Sequence, residues 1–520
     1  MSKPVPLNFF DRLIAAIDPV RGVRRATARQ VLAVYEGGER SRLRKFRKDD
    51  KSPNQLVSRG AVNVRAQARY LERNHDIARG ILRTMVNNVV GPNGVGVEFQ
   101  PRMLDGSIHE PYRDQLSELW RDWQRKPEVT QALSWSQVQR LVARTWLRDG
   151  EAFSQTLIGS VPLLQHGTDV PFSLELFEPD LIPMDYDDAA KNIVQGIERN
   201  AWGRRMAAWM WKGNPLEMPG LPTAGSLKRV SWDNILQVAI IDRMGQLRGV
   251  SEFASILTRL EDIKDYEESE RIAAKIAAML TAYVKRQAPD GEGYQGPAMD
   301  SEGKSVPRQL SLQPGTIIDT LAVGEEIGLI DSNRPNPNLV TFRSGQLRAA
   351  AAGVGASFSS ISKQYDGTFS AQRQELVEQW VNYATLTDEF VCQYAQPVVE
   401  TFIQVAHLSG KARMPSDLKP GTHDDVLYVP QAMPWIDPIR EAEAFTLLVR
   451  GGFISEPEVI RRRGGNPADV MQQMGSWRQM AKDKGLVLAS DAANDKNPNG
   501  ASSNAAPNST TDPKKKGEGN

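Results

Sequence analysis

The sequence predicts an α+β protein, mostly helical, and three observations carry that expectation. Apolar residues recur at three- and four-residue spacing through most of the chain. One stretch, between residues 152 and 241, breaks instead into short extended runs separated by Gly, Pro and Asp. Residues 252–286 then carry a single amphipathic stripe, longer than the usual three or four helical turns.

The elements follow in order. Residues 21–51 hold eleven Lys or Arg against four acids and few large apolar residues, so residues 1–60 read as a basic, poorly ordered arm, either a solvated tail or a contact for an acidic partner. From Ala61 the spacing turns helical through Ala68, Leu71, Ile77, Ile81, Met85 and Val89, and ends in the turn Gly91-Pro92-Asn93-Gly94. Helices are expected at 115–125 and 134–149, where Trp120, Trp123, Trp135 and Trp146 supply bulk for a core. Strands are expected at 152–158, 172–177, 193–200, 207–211 and 235–241.

Ser251 is a candidate N-cap for the stripe that follows, which as one helix over 252–286 would be roughly 50 Å long at 1.5 Å per residue. Its segment 261–270 is strongly acidic. Residues 288–340 are rich in Gly and Pro, with extended segments at 315–321 and 327–330, and a loop-rich insertion of that length inside a folded chain usually has a task. A small-residue helix is expected at 343–361, then a polar turn, then a long helix from Ser370 to about Leu408 that Pro397 kinks or splits. Short helices are expected between 438 and 485, one opening at Ser455-Glu456-Pro457, and after Leu488 the composition is that of a disordered tail.

Composition narrows the function classes. Lys+Arg (64) and Asp+Glu (63) nearly cancel, so any attraction for nucleic acid must be local. A single cysteine, Cys392, excludes an intrachain disulfide framework and fits a reducing cytosol. No run of about 18 apolar residues and no apolar leader is present, so neither membrane spanning nor secretion is expected.

No catalytic or metal motif emerges, and no cofactor is expected. The nearest approach to a phosphate loop, 220–225 followed by Ser226-Leu227, lacks the lysine. The Gly91, Gly94, Gly96 cluster follows a helix, where a dinucleotide fingerprint follows a strand. His75, His109, His166, His407 and His423 stand too far apart in sequence for a local metal site, and Asp180, Asp185, Asp187 and Asp188 read first as solvated turns and second as magnesium ligands of a nuclease.

Several segments together are similar to the lambda family of phage portal proteins: Ala68-Arg69-Tyr70-Leu71-Glu72-Arg73-Asn74 leading to Gly91-Pro92-Asn93-Gly94, Gly245-Gln246-Leu247-Arg248-Gly249-Val250-Ser251, Leu312-Gln313-Pro314-Gly315-Thr316, Gly324-Glu325, Tyr365-Asp366-Gly367-Thr368-Phe369 and Gln396-Pro397-Val398. Their order spans residues 60–485. The chain departs from the family at Phe369-Ser370-Ala371-Gln372-Arg373, where the usual pattern is Tyr-Ser-Ser-x-Arg, which touches only local hydrogen bonding.

The resemblance implies a non-enzymatic subunit of a ring, typically of twelve copies, around a central DNA channel at one capsid vertex. In those terms 61–250 and 370–410 are the wing, 251–287 and 343–361 the two stem helices, 288–342 the clip, 362–369 the tunnel loop and 411–486 the crown. The implied partners are double-stranded DNA, the terminase large subunit, head-tail connector proteins and the major capsid and scaffold proteins, in the virion and, during assembly, the host cytoplasm. Within that frame Glu261, Asp265 and Glu268 are candidates to line the channel, since an acidic lining keeps sliding DNA from sticking. Lys363 and Gln364 are candidates for transient phosphate contact, and Arg373 for anchoring the loop base or, equally, for a structural ion pair. Competing classes are a packaging nuclease or motor and a scaffold or minor capsid protein without a channel.

Overall fold

The structure is a computed structural model that describes residues 51–215, 217, 224–279, 283–286, 325–328, 338–431, 433 and 438–486, with Asp18 and Val20. The contacts divide the chain after Leu56, and the unit Val57–Asn520 holds the core. The basic run 21–50, most of the insertion 288–340 and the tail 487–520 lie outside the described residues.

Helix α1 (Pro53–Asn74) starts earlier than its apolar spacing suggests, so the expected arm boundary at residue 60 falls inside it. Ser52 and Gln55 cap each other there, the Gln55 N–H donating to Ser52 Oγ at 3.3 Å and the Ser52 N–H to Gln55 Oε1 at 3.4 Å, a reciprocal cap that a hydrophobic pattern does not reveal. The one helix expected over 61–89 is two, because His75 adopts an extended conformation and caps α2 (Asp76–Val89). Gly91 and Gly94 both take positive φ in the turn that ends it, leading to β1 (Gly96–Phe99).

Helix α3 (Glu110–Trp123) and helix α4 (Trp135–Asp149) deliver the expected tryptophans to the core. Trp123 is wholly buried, stacks on Phe172 at 5.2 Å and donates its indole N–H to the Phe172 carbonyl at 2.8 Å. Trp120 stacks on Trp123 at 4.9 Å and meets the edge of Phe402 at the same distance.

Strand β2 (Glu151–Ile158) pairs antiparallel with β3 (Phe172–Phe177) on one side. Its two faces feed different cores, Ala152 joining the tryptophan cluster and Phe153 joining Ile182 and residues of the following strands. The run expected as one strand over 193–200 is a hairpin, β4 (Ile193–Val194) and β5 (Ile197–Arg199), because Gln195 and Gly196 both take positive φ. With β6 (Arg205–Trp211) and β7 (Leu227–Ser231) they form a four-stranded antiparallel sheet, and β8 (Ile235–Ala239) returns to the free side of β2.

After β8, Ser251 does act as a cap, accepting the Phe253 N–H at 3.1 Å, but it opens a 3₁₀ turn (Glu252–Ser255) that leads into helix α5 (Leu257–Met279). The expected single helix over 251–287 is thus shorter. Tyr283–Arg286 is strand β9, paired antiparallel with β10 (Glu325–Gly328), so the pairing partner that converts it to strand lies some forty residues away in sequence. The extended segment expected at 315–321 lies outside the described residues.

The small-residue helix expected over 343–361 is also split, into α6 (Leu339–Gly353) and α7 (Phe358–Ser362). Gly355, at φ +63°, makes the break, and a Cβ there would stand 2.5 Å from Asn382 Nδ2. Helix α8 (Phe369–Phe390) runs through a π-helical turn (Val391–Ala395) into α9 (Gln396–Leu408). That turn is the splitting expected of Pro397, whose missing N–H and ring bulk disfavour the regular ladder there. Gln393, on the π turn, accepts the Ala239 N–H at 2.8 Å and so satisfies the edge of β8. The last described elements are β11 (Val426–Val429), paired antiparallel with β1, and helices α10 (Pro438–Arg450), α11 (Glu456–Arg462) and α12 (Pro467–Asp483).

Candidate nucleic-acid interface

Helices α5 and α6 lie antiparallel, as their cross-contacts show. Ile256 faces Gly353, where an added Cβ would lie 2.5 Å from Ile256 Cγ2; Arg259 donates to Gln346; Tyr266 packs on Phe342 at 4.8 Å; and Arg343 donates to Glu267 at 2.6 Å. Ala350 and Ala351 are buried in this seam, as the small-residue run suggested. On its other side α5 is held by His75, whose Nε2 meets the Leu260 carbonyl oxygen at 3.1 Å, and by Lys264, 4.7 Å from the Tyr70 ring.

These contacts divide the acidic run. Glu267 is paired with Arg343 and Glu270 is buried. Glu261, Asp265 and Glu268 are exposed, share one side of α5 by their i, i+4, i+7 spacing, and have no ion pair or hydrogen bond with a described residue. The result is a carboxylate stripe with no ion pair to a described residue, on a helix anchored along its other sides.

The segment 363–368 that follows α7 is fully exposed, so Lys363 and Gln364 are accessible. Lys363 takes a left-handed conformation, φ +58°, and ends α7 by donating its N–H to the Ser359 carbonyl at 2.9 Å. The Gln364 side chain is engaged with Asp366. Arg373, exposed on the first turns of α8, makes no hydrogen bond or ion pair with a described residue. The residues that hold the α6–α7 break onto α8 are ones the sequence reading passed over: Glu375 accepts the Ser359 N–H at 3.3 Å, Gln379 accepts the Ser357 N–H at 3.0 Å, and Asn382 donates to the Val354 carbonyl at 3.4 Å.

A second missed feature fixes where α5 begins. Arg248 and Glu151 are wholly buried and paired at 2.8 Å, and the remaining Arg248 donors reach the carbonyls of Pro179, Ile182 and Gln195 at 2.9–3.1 Å. The Gly249 N–H also donates to Glu151 at 3.1 Å. Gly249 and Gly150 pack backbone to backbone, since a Cβ on either would lie within 2.3 Å of the other segment's backbone. Arg65 adds a bond to Glu151 at 3.2 Å and another to Asp180 at 3.2 Å, while Arg69 bridges Asp149 and Asp180. Burial would raise the Asp180 carboxyl, but Arg65 and Arg69 outweigh it and hold it below the usual carboxylate range. The segment 245–251 carried the family resemblance; a charged residue adjoining glycines was its only sign of a buried role.

Three of the four suspected magnesium ligands are otherwise employed, the exception being Asp185, whose side chain makes no hydrogen bond or ion pair with another described residue. Asp180 is ion-paired, Asp187 accepts the Gln195 N–H at 2.7 Å, and Asp188 caps the turn at Ala190. Three of the histidines held too distant for a site do converge: Tyr112 lies between His109 and His407, and His423 is 6.4 Å from His407. Among the described residues no group of three His, Cys, Asp or Glu side chains could hold a metal ion, and no helix is long and apolar enough to cross a membrane.

With this arrangement in view, the sequence matches the family model for phage portal protein, lambda family, over residues 39–386. The chain belongs to that family. A probable portal protein of Halomonas phage phiHAP-1 is 22% identical over 437 residues, covering 81% of this chain and 80% of the relative. Portal protein B of Escherichia phage lambda is 19% identical over 321 residues, covering 55% of this chain and 58% of the relative. Among solved structures, a chain in the neck of a native gene transfer agent particle, computed with C12 symmetry, aligns with a TM-score of 0.41 at 12% identity, covering 79% of this chain and 94% of that one.

Proposed function

We propose that this portal protein assembles as a closed ring, of about twelve copies, at one capsid vertex, and that double-stranded DNA enters and leaves the capsid through its centre. Membership of the lambda portal family carries this reading, and the exposed stripe Glu261, Asp265, Glu268, which has no ion pair with a described residue, supports its mechanical part. A protein that neutralises many phosphates grips DNA, whereas carboxylates facing the duplex recruit no phosphate and leave it free to slide. Lys363 and Gln364 on the exposed segment after α7 offer brief polar contacts, and Arg373 lies one helical turn beyond.

In this reading the hairpin of α5 and α6 is the stem, the insertion between β9 and α6 is the clip that meets the terminase large subunit and later the head-tail connectors, 362–369 is the tunnel loop, and 411–486 is the crown toward the capsid interior, near scaffold and major capsid proteins. The protein does no chemistry; the motor is a partner, and the ring works at the virion vertex after assembly in the host cytoplasm. Negative-stain microscopy with mass photometry of the purified 57.7 kDa chain tests this. Rings with a central hole and about twelve subunits support it. A compact dimer or tetramer that hydrolyses ATP overturns it.

A further inference from the structure

A concave site beside the four-stranded sheet gathers cations without counter-ions. A cavity of about 530 Å³ lies between the turn joining β5 to β6 and the segment 245–247, and its charged lining is Arg199, Arg204, Arg205 and Asp233. None of these four makes an ion pair with a described residue. The Arg205 guanidinium is half-buried, lies 5.1 Å over the Trp232 ring and donates to the Leu247 carbonyl at 3.3 Å. Burial lowers its pKa, Glu151 offsets part of that, and the Arg248 cation lowers it further. Arg199 donates from Nη2 to Asn192 at 3.3 Å, but its Nε is buried and has no hydrogen-bond partner among the described residues. Guanidiniums taken out of water without an anion are costly, and an anion entering the cavity relieves both.

The turn that borders the cavity is tightly built and displays an indole. Asn200 Oδ1 accepts the N–H groups of Trp202 at 3.0 Å and Arg204 at 2.9 Å, the Asn200 N–H donates to the Arg204 carbonyl at 2.9 Å, and Gly203 takes φ +81°. Trp202 is nevertheless 94% exposed, so its large apolar area adds nothing to the core. Tryptophan and arginine together on a preordered turn have the composition of a binding hot spot.

The same geometry selects the kind of anion. The three arginines converge on one pit instead of following a track, and Asp233 stands in its wall, so the site matches a single carboxylate better than a run of duplex phosphates. Duplex DNA also leaves no base face free to stack on Trp202. We propose that this pocket seats an acidic side chain of a partner protein, an Asp or Glu flanked by an aromatic or large aliphatic residue, the carboxylate meeting Arg199, Arg204 and Arg205 and its apolar neighbour lying on Trp202. The site stands apart from the channel and does not depend on the ring reading.

The test selects peptides from a random displayed library on the purified full chain and counter-selects them on the Trp202→Ala chain. The survivors carry Asp or Glu beside an aromatic or Leu. In fluorescence anisotropy a labelled survivor binds Arg204→Gln about five- to tenfold more weakly than the parent, whereas Arg229→Gln, which removes the same charge from the sheet outside the cavity, stays within about twofold. Arg204 and Trp202 are exposed, so melting temperatures of both variants match the parent. An empty counter-selection, survivors without acidic residues, or equal effects of Arg204→Gln and Arg229→Gln overturn the proposal. Short duplex DNA that displaces the labelled peptide at lower concentration than the unlabelled peptide overturns it in favour of a phosphate site. Loss of oligomers in mass photometry of Trp202→Ala or Arg204→Gln overturns it in favour of a second copy of this chain as the occupant.

Discussion

Where residues 149–151 meet 247–251, Arg248 and Glu151 are wholly buried and use nearly every donor and acceptor on each other and on nearby carbonyls, whereas on α5, a few residues further along the chain, Glu261, Asp265 and Glu268 stand in solvent with no described partner. Removing Glu151 leaves Arg248 uncompensated in a water-excluded corner, and removing Arg248 leaves Glu151 to Arg65 alone, while neutralising the exposed stripe disturbs nothing local. Charge in the first region ties the segment just before α5 to β2. In the second it is spare, which fits the proposed channel lining.

That contrast orders the expected effects. Arg248→Ala takes one of its two counter-charges from Glu151 and leaves the carbonyls of Pro179, Ile182 and Gln195 without their buried donor, and should cost about 3–5 kcal/mol, read as a fall in the urea midpoint. Trp123→Ala, in the uncharged core beside it, removes an indole stacked on Phe172 and should cost a similar ~3–5 kcal/mol in the same titration. Equal losses at the two sites would say that the buried charges are as structural as the tryptophans; a tolerant Arg248 would break the comparison.

Glu252 sharpens it, because it lies between the two regions. Burial first, then Asp242 and Glu389, push its carboxyl up to about 7. The folded chain therefore holds a proton that the unfolded chain releases near pH 4.5. Stability from this group is complete below about pH 4.5, is lost as pH rises, and is gone above about 7, a change of order 1–2 kcal/mol after allowance for its partial exposure. Glu252→Gln should flatten the slope of melting temperature between pH 5 and 8, and an unchanged slope would assign it to other groups. Gly355→Val, forced to positive φ against Asn382, should cost about 1–3 kcal/mol in thermal melts. The triple exchange of Glu261, Asp265 and Glu268 to Gln should shift stability by no more than about 0.5 kcal/mol.

The sequence made some of this legible and hid the rest for physical reasons. Tryptophan spacing announced the core because large aromatic area must be buried somewhere. The kink at Pro397 was readable because proline acts locally, and so was Ser251 as a cap. Long-range pairing was not readable: β1 joins β11 from some 330 residues away, and β9 becomes a strand only through β10. The break at His75 follows from one residue's backbone conformation inside an unbroken apolar pattern. At the candidate interface the three carboxylates were legible as a run, but which ones are free depended on Arg343 arriving opposite Glu267. Glu375, which ties α7 to α8, gave no signal at all.

The most direct test is a cryo-electron microscopy map of the assembled particle, measuring where the α5 carboxylates lie relative to the ring axis. Glu261, Asp265 and Glu268 should face the central lumen of a closed ring, with α6 packed behind them. Finding all three sealed between neighbouring subunits, or no lumen, would contradict it.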